Sequence, residues 1–149
     1  MIRDAETLNV LVDSLRRFVK DRLVPREAEV AEADAIPADI QREMRELGLF
    51  GLTLPEAYGG LGLTMEEEVL VTFELGRTSP AFRSFIGTNN GIGSIGIVID
   101  GTAEQKSKYL PKVASGEYIA SFCLTEPDAG SDAAGLKTVA IRDGDHYVL

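Results

Sequence analysis

Leu8, Leu11, Val12, Leu15, Phe18, Val19 and Leu23 recur at spacings of three and four, the period of a single buried helical stripe. Asp4 precedes that stripe, where a carboxylate can accept from the free N–H groups of a first turn. Pro25 predicts a break or restart, because proline lacks the N–H and clashes with the preceding turn. A short polar helix is expected over 26–33. Pro37 is expected at the first position of the next helix, with Ile40, Met44 and Leu47 as its stripe and Gly48 as its stop. The stretch LPEAYGGLGLT, residues 54–64, has no period, and its proline and glycine pair mark a tight irregular connection.

Thr64 and Glu67 have capping-box spacing and open a helix through Val69, Leu70 and Phe73 to Gly76. Ser79 followed by Pro80 opens a longer segment, expected to run as one helix to Asp100 and Gly101. It is rich in Phe and Ile but carries Gly87, Gly91, Gly93 and Gly96. Each interior glycine costs about 1 kcal/mol relative to alanine, so four together predict a close approach to the backbone. Thr102 and Gln105 repeat the capping-box spacing, and that helix should end near Gly116, with Tyr109, Leu110 and Val113 in the core.

From Tyr118 the helical period stops. Residues 118–124 are aromatic and apolar without it, which reads as a strand buried on both faces. Residues 125–135, TEPDAGSDAAG, read as a loop, and 137–142 and 147–149 as two strands joined by the turn DGDH. The fold class is therefore mainly α, with a helical domain over 1–116 and the first strands of a β-domain over 117–149. An isolated two-stranded ribbon is marginal in water, so the chain is expected to be a piece of a longer protein.

With 15 basic and 24 acidic residues in 149, the net charge is −9, and no window is strongly basic. Nothing here could neutralise a run of phosphates, which argues against nucleic-acid binding. The single cysteine, Cys123, excludes an internal disulfide and fits a reducing compartment. There is no signal-like apolar core at the N-terminus and no apolar run near the ~18 residues of a membrane span, so a cytoplasmic protein is expected. Glu66, Glu67 and Glu68 read as a solvated first helical turn in a favourable dipole. Glu126, Asp128 and Asp132 lack the spacing of a calcium loop, and no metal site is expected. His146 reads as a solvated turn residue, and Cys123 as a small apolar packing residue.

The informative stretch is 123–135. Thr125 and Ser131 offer hydroxyl donors, Gly130 admits a ligand to the main chain, and the consecutive N–H groups of Gly130, Ser131 and Asp132 could cradle an anion. The competing reading is a capped turn whose side chains tie up its own backbone.

CLTEPDAGSDAAG resembles the first signature of the acyl-CoA dehydrogenase family at every specified position from Cys123 to Gly135. LPEAYGGLGLT and GTAEQKSKYLPKVASGEYIASFCLTEP are similar to the flanking regions of that family, so the resemblance covers essentially the whole chain. It implies N-terminal helices of the family's type followed by a β-barrel-like middle domain. It also implies FAD as cofactor and desaturation of an acyl-CoA thioester between its α and β carbons. By that resemblance Phe122, Cys123, Leu124 and Thr125 lie along the flavin ring, with the Thr125 hydroxyl towards its pyrimidine side. Gly130 and Ser131 stand beside the FAD diphosphate, and Ser131 also contacts the acyl-CoA pantetheine. Glu126 and Asp132 cap and pin the loop. Gly87, Asn89 and Gly91 would help set how much acyl chain fits, though close packing through small residues explains each glycine equally well.

The family's glutamate base lies outside this region, so no catalytic residue is expected here, and the chain alone should be inactive and hold FAD weakly or not at all. An electron-transfer flavoprotein is the implied acceptor, fatty acid metabolism the implied setting, and a homotetramer or homodimer the implied assembly. Two other readings are an acyl-CoA oxidase or related flavin monooxygenase of the same fold, and a non-catalytic helical interaction module.

Overall fold

The computed structural model describes residues 4–149. Helix α1, Ala5–Phe18, starts where Asp4 accepts from the N–H groups of Glu6 (3.0 Å) and Thr7 (3.1 Å). Leu8, Leu15 and Phe18 are buried on its expected stripe, continued by Val19 and Leu23. At Pro25 the chain restarts its α-helix rather than leaving the helical path. The backbone widens into a π-turn over Val19–Leu23 and tightens into a 3₁₀ turn over Val24–Arg26, then resumes as α2, Glu27–Ala33. The change of winding takes in a residue that has no N–H to donate. Asp34 ends α2 in the left-handed region, φ 49°.

Helix α3, Ala38–Glu46, begins one residue after Pro37, which holds the N-cap position rather than the first helical one. Gly48 follows at φ 71°, as its stop role requires. The connection over 49–63 folds back on itself through hydrogen bonds from Leu61 N–H to Gly51 O (2.7 Å), Gly62 N–H to Leu54 O (2.8 Å) and Leu63 N–H to Leu52 O (2.7 Å). Helix α4, Met65–Leu75, opens on the expected capping box and lies along α1.

The acidic run at 66–68 is not uniformly solvated. Glu66 is exposed, but Glu67 is buried as it turns back to cap Thr64 N–H, and Glu68 is half-buried. Val71 and Leu75 face inward, whereas Val69, Leu70 and Phe73 are exposed. Further along α4, the Glu74 carboxylate is only 7% exposed and accepts from Arg16 Nη2 at 2.8 Å, tying α4 to α1. Its other oxygen, Oε2, lies 2.8 Å from Arg77 Nε without an aligned hydrogen bond.

The Arg16 hydrogen bond, followed by the positive charges of Arg16 and Arg77, holds the Glu74 carboxyl below the usual carboxylate range. A carboxyl depressed on folding stabilises the fold above its unfolded pKa, and the gain disappears as pH falls through the lower folded value. Glu74→Gln should therefore cost about 1 kcal/mol near neutral pH by weakening a charged hydrogen bond. The gap in Tm between the two proteins should close on acidification. A gap that persists unchanged in acid would contradict this assignment.

The segment from Pro80 is not one helix. It forms α5, Pro80–Gly87, then turns through 88–94 and resumes as α6, Ile95–Asp100. The break falls at Asn89 and Asn90, which are buried and spend their side chains on other backbone segments. The four glycines also differ from one another. A Cβ on Gly93 would stand 2.5 Å from Ala120 Cβ, but one on Gly96 would meet nothing within 4 Å.

Helix α7, Ala103–Ala114, has the expected capping box and is followed by Gly116 at φ 72° against the Phe50 ring. Leu110 and Val113 are buried, with Tyr109 half-buried beside them. Phe50 and Phe85 meet edge to face, centroids 5.2 Å apart, within the main core. A second cluster gathers Leu54, Leu110, Val113 and Ala114. Among the described residues no helix is long and apolar enough to cross a membrane.

Residues 118–124 run without helix or ladder and are largely exposed, so the expected doubly buried strand is not seen. The reason is that the two strands among the described residues, β1 (Ile141–Asp143) and β2 (His146–Val148), pair antiparallel with each other and not with this segment. β1 is shorter than expected, β2 begins one residue earlier, and His146 is its exposed first residue rather than part of the turn.

Candidate functional site

Phe122, Cys123, Leu124 and Thr125 are consecutive, outside any helix or strand, and exposed. Phe122 leaves 54% of its surface uncovered, which is high for a ring of that size. Cys123 is exposed as well, contrary to its expected packing role, with Ser121 Oγ 3.8 Å from its sulfur. Among the described residues none of the four backbone N–H groups at 122–125 donates to the chain.

The loop then closes on itself. Glu126 N–H donates to Ala129 O (2.9 Å) and Ala129 N–H to Glu126 O (3.2 Å), with Pro127 and Asp128 at the tip. The Glu126 carboxylate reaches across to accept from the N–H groups of Lys137 (2.9 Å) and Thr138 (2.8 Å). Hydrogen bonds from the Thr138 side chain first, then from those two N–H groups, hold the Glu126 carboxyl below its ordinary range. Glu126 thus joins the beginning of the loop to its end as a carboxylate. Asp132 O accepts from Gly135 N–H at 3.0 Å and starts the short 3₁₀ turn Ala133–Gly135.

Between these bonds lies Gly130, exposed to solvent. The nearest atom to a Cβ built on Gly130 is Thr125 Cγ2, at 3.9 Å. Thr125 and Gly130 are therefore neighbours, with open space over the glycine backbone. Among the described residues the N–H groups of Gly130, Ser131 and Asp132 have no acceptor in the chain. Three successive unpaired donors beside a residue without a side chain suit an anionic group that approaches the main chain. The alternative of a turn whose side chains tie up its own backbone fits Glu126, but the Asp132 side chain caps nothing in the short turn that follows it, and the N–H groups at 130–132 stay open to solvent. Among the described residues no three metal-ligating side chains come together.

The helical side presents a cleft of about 400 Å³ between α4, α5 and α6, walled by Leu54, Leu63, Met65, Gly87, Gly91 and Ile95. Arg83 and the half-buried Glu68 also face it. Desolvation raises the Glu68 carboxyl above its usual range, opposed by the positive charge of Arg83. Gly87 and Gly91 stand in this wall, where a Cβ on Gly87 would meet only the flexible end of Arg83 at 3.0 Å. Asn89 does not join them. Its Nδ2 donates to Val113 O (2.9 Å) and Tyr118 O (2.8 Å), and its Oδ1 accepts from Ala120 N–H (2.8 Å). No polar atom of that side chain is left for a ligand.

Asn90 has a matching role that the sequence did not suggest. Its Nδ2 donates to Leu49 O (2.7 Å) and Ile86 O (3.1 Å), fixing the start of the 49–63 connection. The visible signal was the Asn-Asn-Gly run itself, a turn marker inside an otherwise helical stretch.

The family model described as "Acyl-CoA dehydrogenase, N-terminal domain" matches residues 5–117. The chain belongs to the acyl-CoA dehydrogenase family. It is 40% identical over 145 residues to the (2S)-methylsuccinyl-CoA dehydrogenase of Cereibacter sphaeroides, covering 97% of this chain and 26% of that protein. It is 38% identical over 141 residues to the mitochondrial isovaleryl-CoA dehydrogenase of Bos taurus, covering 93% of this chain and 33% of the relative. Among solved structures, the acyl-CoA dehydrogenase of Bacillus anthracis in complex with FAD superposes with a TM-score of 0.84 at 35% identity, covering 98% of this chain and 25% of that one. The chain thus spans between a quarter and a third of the length of these proteins.

Proposed function

We propose that this chain forms the helical domain, residues 1–116, and the opening of the middle domain, 117–149, of a cytoplasmic flavin-dependent acyl-CoA dehydrogenase. The reaction is desaturation of an acyl-CoA thioester between its α and β carbons. FAD, when bound, supplies the acceptor for the hydride that leaves the β carbon. Support for its seat comes from the three unpaired N–H groups of Gly130, Ser131 and Asp132 beside the open Gly130 backbone.

In this reading Phe122, Cys123, Leu124 and Thr125 run along the ring, and their uncovered apolar surface is the surface that the ring shields from water. The Thr125 hydroxyl donates towards the pyrimidine side. Gly130 and Ser131 hold the diphosphate, and the Ser131 hydroxyl also steadies the pantetheine arm of the substrate. Gly87 and Gly91, in the wall of the helical cleft, leave room for the acyl tail. No acid of this chain is assigned the α-proton, since the family resemblance places that base outside these residues; Glu126 is engaged by its loop and Glu67 by its cap. Reducing equivalents pass on to an electron-transfer flavoprotein, and the enzyme assembles as a homotetramer or homodimer in fatty acid metabolism.

Protein isolated from its own cells should be yellow, and its visible flavin band should bleach when an acyl-CoA is added without oxygen. Colourless protein that neither binds FAD nor protects an acyl-CoA would sink the proposal. The 149-residue chain by itself should show no desaturation.

A further inference from the structure

Among the described residues no hydrogen bond joins the chain beyond Ala120 to the helical domain. The anchors of the departing chain come in order: Arg45 Nε donates to Gly116 O (3.0 Å), Tyr118 N–H donates to Lys112 O (2.9 Å), and Asn89 then takes Tyr118 O and Ala120 N–H. Among the described residues, the bond from Ala120 N–H to Asn89 Oδ1 is the last hydrogen bond between the chain and the helical domain. The loop bonds beyond it, at Glu126, Ala129 and Asp132, are all internal to 126–138. Phe122 begins two residues later.

Asn89 is completely buried and also donates to Val113 O, so the same amide fixes the end of α7 and the segment leaving it. An asparagine suits this task because one planar group offers two donors and an acceptor in fixed relative directions. Gly93 sets the depth of the contact. Any side chain there would strike Ala120 Cβ at 2.5 Å and Thr88 O at 2.9 Å, so Ala120 seats flat against the 88–94 turn.

We propose that Asn89, with Gly93 behind Ala120, is the positioning device that sets the register and direction of residues 122–131 relative to the helical domain. This extends the flavin-seat reading: the helical domain, which holds the acyl-tail cleft, and the loop, which holds the flavin, are indexed to each other through this amide. Asn90, the next residue, fixes the 49–53 backbone on the other side, so the turn between α5 and α6 registers two segments at once. Asn89 touches neither flavin nor acyl chain and acts through Tyr118 and Ala120.

The test is residue-resolved amide hydrogen exchange on the 149-residue chain, comparing wild type, Asn89→Ala and Gly93→Ala. Both variants should speed exchange at Ala120 by about tenfold or more, while the amides of Leu15 and Leu75 in the main core change far less. Uniform acceleration across the core, or no change at Ala120 in either variant, overturns the proposal. Gly93→Ala leaves every Asn89 polar atom in place, so it reads the register even where Asn89→Ala fails to fold. In the flavin-loaded protein, Gly93→Ala should also alter the visible circular dichroism of the bound flavin, a signal that depends on ring geometry. Selective release of Ala120 with an unchanged flavin signal would keep the staple and refute the flavin seat at 122–131. The two readings therefore fail separately.

Discussion

Gly60→Ala should destabilise the fold by about 3 kcal/mol or more, because the new methyl would overlap the Leu54 carbonyl and stand 2.7 Å from Leu54 Cβ. The obstacle is main chain, and that stretch is locked by the bonds from Leu61, Gly62 and Leu63 back to 51–54, so no rotamer change relieves it. For a chain of this length the expected fall in Tm is roughly 6–12 °C. Gly59→Ala is the matched control. Gly59 has φ 85° with nothing within 4 Å of a Cβ, so only left-handed backbone strain is added, about 1 kcal/mol. Thermal unfolding of the two variants side by side separates clash from strain. Equal losses would mean that the return of the 54–63 connection is looser than its hydrogen bonds indicate. The consequence reaches the cleft, since Leu54 and Leu63 form part of its wall.

The helices of this chain were legible because their determinants are local. Asp4, Thr64, Ser79 and Thr102 lie within three residues of the N–H groups they cap, and the Leu8 to Leu23 stripe needs only the helical period. What escaped was set by distant partners. The interruption between α5 and α6 depends on carbonyls at Leu49, Val113 and Tyr118, between 24 and 41 residues from the asparagines that bind them. Glu67 and Glu74 look alike in sequence, yet one caps its own helix and the other is drawn under Arg16 across 58 residues. Residues 118–124 carry strand chemistry, but strand burial needs a ladder, and β1 and β2 satisfy only each other. The loop itself was recognisable because its glycines, hydroxyls and acids sit at fixed short offsets. In the folded chain Glu126 is spent on Lys137 and Thr138, while among the described residues the donors at 130–132 meet no acceptor. That division, with an acid holding the loop's shape and main-chain groups left open, is what the proposed anion seat rests on.

Thr125→Val in the flavin-loaded protein should slow anaerobic flavin reduction by acyl-CoA about 10²-fold while leaving the fold intact. Valine keeps the branched shape, so the methyl that lies 3.9 Å from the Gly130 Cβ position is retained and only the hydroxyl is lost. If the proposed seat holds, the Thr125 hydroxyl would face the pyrimidine side of the ring, where a fixed donor would favour the negatively charged reduced form over the neutral one. Loss of one preorganised donor of that kind costs on the order of 10²–10³ in rate. Because the hydroxyl favours the reduced form, its removal should also make the flavin potential more negative. Thr125 is exposed and contributes nothing to the core, so thermal stability of the apoprotein should not move. Ser131→Ala provides the contrast: on the proposed assignment, losing that hydroxyl should weaken binding of FAD and acyl-CoA, with little effect on the potential. A Thr125→Val protein whose reduction rate and potential both match wild type would remove Thr125 from the flavin. The open donors at 130–132 would then need a different anion to explain them.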